Sequence, residues 1–551
     1  MSTQSLLLVE TSGIQDYIFG SNQLAQNIGA SELVAQATSK WVVEVLNDGE
    51  FNHNARWNSR KYDVELDMTK DAQDGLEVRV IFTGGGNALI LFSDDDSAQK
   101  FTQALSKKAL FEAPGLQLVI KRRKFDPQQD ALSVCHRELI RELAQRKLDR
   151  KPSVPLLGLG VTAECAYTGK PAVGVDTETP GERKPLISSE VKAKLKARKK
   201  GHERLKIHAP LPEKFDFVYN FDHFGTKGES TYLAVIHTDG NGMGKRIKKI
   251  GDKYLNNEKN ADYITALRAF SNSVKQAATN ALRNTVKMLF DNLSDEEAPN
   301  DRKIADLVPV PYFKREEDDE PKWHLPFRPI VFGGDDVTFV CEGRLGLAIA
   351  TKYLAEYSNQ QLADEEKAHA RAGIAVVKSH YPFSRAYELA DALCASAKHF
   401  IKDKSKNGYD LTALDWHFAV TGLVRPLDEV RSREYTINQR DKLYMRPLLM
   451  NDIEKEWRTW STFKRIVDDF QKPAVKKGEW AGRRNKIKAL REALRGGREE
   501  VKRFLRIYGG TLPQIETQKE MAKEGWESDR CGYFDAIEAL DFYLPLKGGE
   551  L

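Results

Sequence analysis

Residues 329–340 (Pro-Ile-Val-Phe-Gly-Gly-Asp-Asp-Val-Thr-Phe-Val) constrain this chain more than any other stretch. Two runs of branched and aromatic residues flank Gly333, Gly334, Asp335 and Asp336, the pattern of a β-hairpin. A turn has no use for two adjacent carboxylates, whose repulsion is unfavourable unless a cation lies between them. The glycines leave room for a phosphate or another backbone to come close. Taken alone, the run reads equally well as a plain structural hairpin. Its pattern recurs upstream, where residues 76–82 and 88–92 flank Thr83-Gly84-Gly85-Gly86-Asn87. Strand, loop, helix, strand, glycine turn, strand thus occurs twice, which predicts an internal repeat of one α/β unit. The first turn has Gly86 and Asn87 where the second has Asp335 and Asp336. Without carboxylates it cannot hold a metal, so a structural or docking role is expected of it.

About ninety residues before the acidic hairpin, residues 231–237 form a short apolar run of the buried-strand type. It leads into Asp239-Gly240-Asn241-Gly242-Met243-Gly244-Lys245 and then a helical pattern. A strand, a glycine-rich loop and a helix present backbone N–H groups to an anion. Glycines at 240, 242 and 244 match neither the P-loop nor the dinucleotide fingerprint. A carboxylate at one strand end and two on a neighbouring hairpin can jointly hold Mg²⁺ or Mn²⁺. Two such ions suit in-line attack of a hydroxyl on an α-phosphate. The two elements together read as a nucleotidyltransferase palm. Asp239, Asp335 and Asp336 are its candidate catalytic and metal-binding residues, with the carbonyl near Gly240 as a further ligand. The amides of residues 240–244 and the Lys245 ammonium would neutralise phosphate charge. His237 reads either as a ligand or as a packing residue.

Residues 239–245 and 332–336 resemble the palm of the large polymerase/cyclase subunit of type III CRISPR effector complexes. So does the segment 372–382, followed by a helix ending at Ala397-Lys398. Residues 10–19, with Gly29-Ala30-Ser31 after them, are similar to that subunit's first palm. The four segments stand in the family's order over roughly residues 5–420. The GGDEF diguanylate cyclases share the hairpin but match less of the chain.

The resemblance implies an α/β (α+β) fold with two ferredoxin-like palm domains in tandem, at 1–125 and 226–425. A small insertion at 126–225 and a C-terminal helical domain at 426–551 complete it. It also implies ATP as substrate, pyrophosphate release and a product of the cyclic oligoadenylate type. Asn241, Gly242, Gly244, Ser271, Gly333 and Gly334 would contact the nucleotide, and Lys398 the triphosphate. An exposed Lys near a helix end is favoured by the helix dipole as well. The implied partners are the other effector subunits, guide RNA and target RNA. A stand-alone cyclic-nucleotide synthase and a catalytically silent RNA-binding scaffold are the alternatives.

The chain departs from the family pattern in three places. Asn241 stands where the family's first motif has a second carboxylate. The sequence has no His-Asp dipeptide, so an HD-type nuclease and DNA cleavage are not expected. The zinc-binding insertion of related subunits uses paired cysteines. Residues 162–171 offer only Cys165, and a tetrahedral zinc site needs four good ligands, so zinc is not expected.

The remaining composition narrows the class. Five scattered cysteines without a CxxC pair fit a reducing compartment. The absence of an 18-residue apolar run and of a signal-peptide layout suggests a cytoplasmic protein without membrane contact. A net charge of +5 permits a nucleic-acid partner without demanding one. The basic run 192–200 reads either as a solvated helix face or as a phosphate-contacting one. Helices are expected at 31–47, 132–148, 263–293, 451–470 and 483–508.

Overall fold

The computed structural model describes residues 3–549 apart from 72–74, 150–159, 179–183, 225–231, 296–300, 316–317, 420–424, 472–479 and 481. Part of the acidic run at 316–320 and the first residue of the 231–237 strand therefore lie outside the described residues.

The repeat expected from the two glycine turns is present. In the first unit, strand β1 (Gln4–Ser12) is followed by helices α1 (Leu24–Ala37) and α2 (Lys40–Asp48). The hairpin β2 (Val78–Gly84) and β3 (Asn87–Phe92), helix α3 (Asp95–Glu112) and strand β4 (Gln117–Phe125) complete it. Its antiparallel sheet has the order β2-β3-β1-β4. One helix was expected over 31–47, whereas the chain breaks at Thr38-Ser39. The Ser39 hydroxyl donates back to the Ala35 carbonyl at 2.5 Å, local competition of the kind that interrupts helices.

The inter-palm segment carries α4 (Leu132–Leu148) and α5 (Ser189–His208). The basic run lies on α5 and is split between two roles. Lys192, Lys196, Lys199 and Lys200 are exposed. Lys194 is buried and donates to the Tyr17 carbonyl and to Glu190, both at 2.7 Å. Arg204 is also buried, 3.2 Å from Glu32 of α1 and over the ring of Phe332. Breaking such a buried pair costs about 3–5 kcal/mol, so α5 clamps the first palm to the second hairpin.

The second unit begins with β5 (Tyr232–Gly240), α6 (Met243–Gly251) and α7 (Asn260–Asp291). Hairpin β6 (Phe327–Val331) and β7 (Val337–Glu342) and helix α8 (Gly346–Ser358) follow. Then come β8 (Ala370–Lys378), α9 (Phe383–Lys404) and β9 (Ala413–Ala419). Strands β6-β7-β5-β8 repeat the order of the first palm, and β9 adds parallel to β8. Residues of β5 and β8 are almost all buried, as expected of a central pair.

Helix α9 runs past the expected end at 398, because Phe400 and Ile401 bury against Ala413 and Leu449. The segment after 425 packs against the second palm. Strand β10 (Leu448–Leu449) extends the second palm sheet, and Phe542 packs on Tyr232 and Phe418. Of the helix expected at 451–470, only α10 (Trp460–Gln471) forms, since the Leu449 amide donates to the Arg458 carbonyl in strand-like fashion. The helix expected at 483–508 is two, α11 (Arg484–Gly496) and α12 (Arg498–Tyr508), divided at Gly497 with φ 94°. No helix among the described residues is long and apolar enough to cross a membrane.

Candidate active site

The site forms where β5 ends and the β6–β7 hairpin turns back. Gly333 has φ 95°, a value that favours glycine and lets the tip fold over. The Gly240 amide donates to the Asp335 carbonyl at 3.1 Å, which ties the tip to the end of β5. A Cβ at Gly240 would stand 2.7 Å from that of Asp335, so glycine is needed for this approach. Asp239, Asp335 and Asp336 are thereby grouped at one end of the sheet.

Sequence reasoning missed two residues of this group, Asp391 and Arg371. Asp391 lies on α9, seven residues before Lys398, and Lys398 acts electrostatically on both Asp239 and Asp391. The available signal was Gly373 in the middle of an apolar strand, which announces a close approach. A Cβ there would come within 2.0 Å of the Ala390 carbonyl oxygen, so α9 lies directly on β8 and delivers Asp391. Arg371 is the direct β8 partner of Asp239, a register that no local pattern reveals.

Electrostatics mark the group as strained. Burial, then the neighbouring Asp239, raises the Asp335 carboxyl to about 6. Burial together with Asp239, Asp335 and Asp391 raises Asp336 to about 8. Asp239 and Asp391 are raised as well, chiefly by burial, with Arg371 and Lys398 opposing. His237 is buried between Asp336 and Asp391, 3.5 Å from each, against the ring of Tyr387. Burial lowers it to about 4, so it stays neutral.

The remaining expected residues divide into those the fold brings to the aspartates and those it does not. Gly242 caps α6 with φ 70° and has Tyr409 packed where a Cβ would go. Lys245 reaches the Asn407 carbonyl at 3.4 Å and lies over the Tyr409 ring. Gly244 has open space around it. The Gly240 and Asn241 amides serve Asp335 and His369, so the α6 first-turn amides of residues 243–245 are the ones suited to an anion. Asn241 is a buried strut: its Nδ2 donates to the Leu411 carbonyl at 2.8 Å and its Oδ1 accepts from Arg371 at 2.7 Å. The Gly240 carbonyl, expected as a metal ligand, accepts from Arg371 at 3.2 Å. Ser271 is not at the aspartates. It lines an adjoining cavity of about 800 Å³ with Arg268, Phe82 and Thr83.

The two glycine turns face each other. Gly334 sits beside Gly85, and a crevice of about 140 Å³ between them is lined by Gly84, Gly86, Tyr62, Lys275, Asp335 and Asp336. The Lys275–Asp63 ion pair borders both this crevice and the larger cavity.

Whether the site suits a divalent ion rests on the oxygens present. Asp336 Oδ1 is buried without a hydrogen-bond partner, 3.5 Å from His237 Nδ1, although half of that side chain is exposed. Asp239 is held by Arg371, and among the described residues no three His, Cys, Asp or Glu side chains converge as a metal site. The Asp335–Asp336 pair therefore fits an ion that takes its other ligands from water and phosphate, as magnesium commonly does.

Comparison with known proteins agrees with this architecture. The family model of the Cas10/Cmr2 second palm domain matches residues 232–408. Among solved structures, the Csm1-Csm4 cassette in complex with one ATP is 15% identical, with a TM-score of 0.52 over 98% of this chain and 70% of that one. The same cassette in complex with cA4 is 14% identical over 98% and 69%, with a TM-score of 0.50. Csm1 from T.onnurineus is 16% identical over 98% and 70%, with a TM-score of 0.51. No curated protein matches the chain by sequence. Residues 232–408 thus match the Cas10/Cmr2 second palm domain, in a chain that shares the fold of Csm1.

Proposed function

We propose that this protein is a nucleotidyltransferase that joins and cyclises ATP into a cyclic oligoadenylate, releasing pyrophosphate, within an RNA-guided type III complex. The observation that carries the reading is the pair Asp335 and Asp336, held beside Asp239 at a cost in burial and charge repulsion that no hairpin requires. Mg²⁺ or Mn²⁺ held by Asp335 and Asp336, next to Asp239, would neutralise the triphosphate and lower the pKa of an attacking 3′-hydroxyl. The first-turn amides of α6, with Lys245 and Lys398, meet the phosphate charge. Gly333 and Gly334 keep the tip bare so that a nucleotide can lie against Gly85 and Gly86 of the first palm. Asn241 supports the loop from beneath, and Ser271 is placed to meet a base only if the nucleotide extends into the larger cavity. Structures that share the fold hold ATP or cA4 and pair Csm1 with Csm4, which supports a nucleotide substrate and a subunit partner. Guide and target RNA are the further partners of this reading.

The test is incubation of pure protein with ATP and Mn²⁺ or Mg²⁺, with and without guide complex and target RNA, products resolved by mass spectrometry. Cyclic or linear adenylates are expected, with dependence on target RNA. No product from any nucleotide under any of these conditions would replace the reading with a scaffold role.

A further inference from the structure

We propose that Arg371 is a resident cation of the reaction centre, standing where a second metal ion would otherwise bind, so that this chain uses one divalent ion at Asp335 and Asp336. The inference rests on the nucleotidyltransferase reading and specifies its ion count.

Backbone pairing comes first. Arg371 and Asp239 are direct partners across the antiparallel β5–β8 ladder, which sets the two side chains next to each other on one face of the sheet. The side chain is only 6% exposed and runs along the end of β5. Nη2 pairs with Asp239 Oδ2. Nη1 donates to the Gly240 carbonyl at 3.2 Å and to Asn241 Oδ1 at 2.7 Å. A carboxylate, a carbonyl and an amide oxygen together make a hard-cation donor set, and here a guanidinium takes all three.

Asn241 fits this substitution. Its Nδ2 is fixed on the Leu411 carbonyl, so its Oδ1 is aimed at Arg371. A neutral amide oxygen matches a monovalent donor, whereas a second carboxylate would match a divalent ion. Arg371 acts on Asp239, Asp335, Asp336 and Asp391 alike, whereas Lys398 acts on Asp239 and Asp391. Asp336 Oδ1, on the hairpin that would receive the divalent ion, has no hydrogen-bond partner and lies 3.5 Å from His237 Nδ1.

The experiment counts Mn²⁺ by electron paramagnetic resonance on the full chain with a non-hydrolysable ATP analogue. Two Mn²⁺ ions about 4 Å apart couple magnetically and differ in spectrum from a single ion. Wild type should show one uncoupled Mn²⁺, and R371M, checked for an unchanged melting temperature, a coupled pair. R371Q repeats the count should R371M melt lower. A coupled pair in wild type, or a single ion in the folded Arg371 variants, overturns the role of Arg371 and leaves the transferase reading intact. No bound Mn²⁺ in wild type, with no product from ATP, would overturn both. D335A/D336A should lose the single ion.

Discussion

The two hairpin tips of this molecule sit side by side, Gly85 next to Gly334, on sheets of the same strand order. The first has glycines at φ 60° and 79° and ends in Asn87; the second has a glycine at φ 95° and continues into Asp335 and Asp336. Both turn the chain equally well. The fold therefore asks only for residues that accept positive φ, and the first palm stops there. In the second palm, burial and crowding raise both carboxyls far above the ordinary range. What the second tip adds is unfavourable for folding, and it is placed where a nucleotide could reach it. In the proposed function, that difference gives the chemistry to one palm and support to the other.

The largest effect should come from removing the difference. D335A/D336A makes the second tip resemble the first, and ATP turnover should fall by about 10³-fold or more, measured by mass spectrometry of products. Its melting temperature should hold or rise, because the removed charges repel. Retained product would break the comparison outright. The reverse exchange is a smaller test. G86D/N87D gives the first tip its own carboxylates, but Gly86 has φ 79° and a Cβ there would stand 2.8 Å from Thr11 Oγ1. A loss of about 1–3 kcal/mol is expected in urea denaturation, with no product regained when it is combined with D335A/D336A.

Support for the second tip also comes from α9, which lies directly on β8. G373A would drive a Cβ against the Ala390 carbonyl and push α9 off β8. Asp391 and Lys398 ride on that helix. A shift of about 1 Å is enough for a 10²-fold loss of turnover, and overpacking of this kind costs about 1–3 kcal/mol. Full activity in G373A would show that α9 contributes nothing to the site.

These features were unequally legible in the sequence. The repeat, both hairpins, the β5 strand and its acidic end were readable, because glycine turns between β-rich runs are local signals. Asp391 could have been inferred from Gly373 and its seven-residue spacing to Lys398. Arg371 could not, because its meaning depends on the register against Asp239, which is set by residues 132 positions away in sequence. Asn241 was read as a missing carboxylate, while the fold makes it a strut between Leu411 and Arg371. The amphipathic spans at 31–47, 451–470 and 483–508 were read too long for one reason. Breaks at Ser39, at the Leu449–Arg458 pairing and at Gly497 come from single hydrogen bonds or one backbone angle, which periodicity averages away.

The smallest effect is in stability against pH, and it isolates the two tips without any substrate. The ordinary aspartate value is 3.8, and in the folded chain Asp335 lies at about 6 and Asp336 at about 8. The folded state therefore binds more protons than the unfolded one between pH 4 and 8, and stability must fall as pH rises through that window. Below pH 4 both states are protonated at these groups, and above about 8 both are ionised, so the slope vanishes at either end. Metal-stripped wild type should melt lower at pH 8 than at pH 5, relative to D335N/D336N, by about 2 °C. Added Mn²⁺ should erase that difference, since an ion between the carboxylates replaces the protons, whereas exchanging Asn87 for Ala on the first tip should leave the slope as it is. A wild-type slope equal to that of D335N/D336N would mean the two tips are electrostatically alike, and the division of labour between the palms would have to rest on something other than the carboxylates.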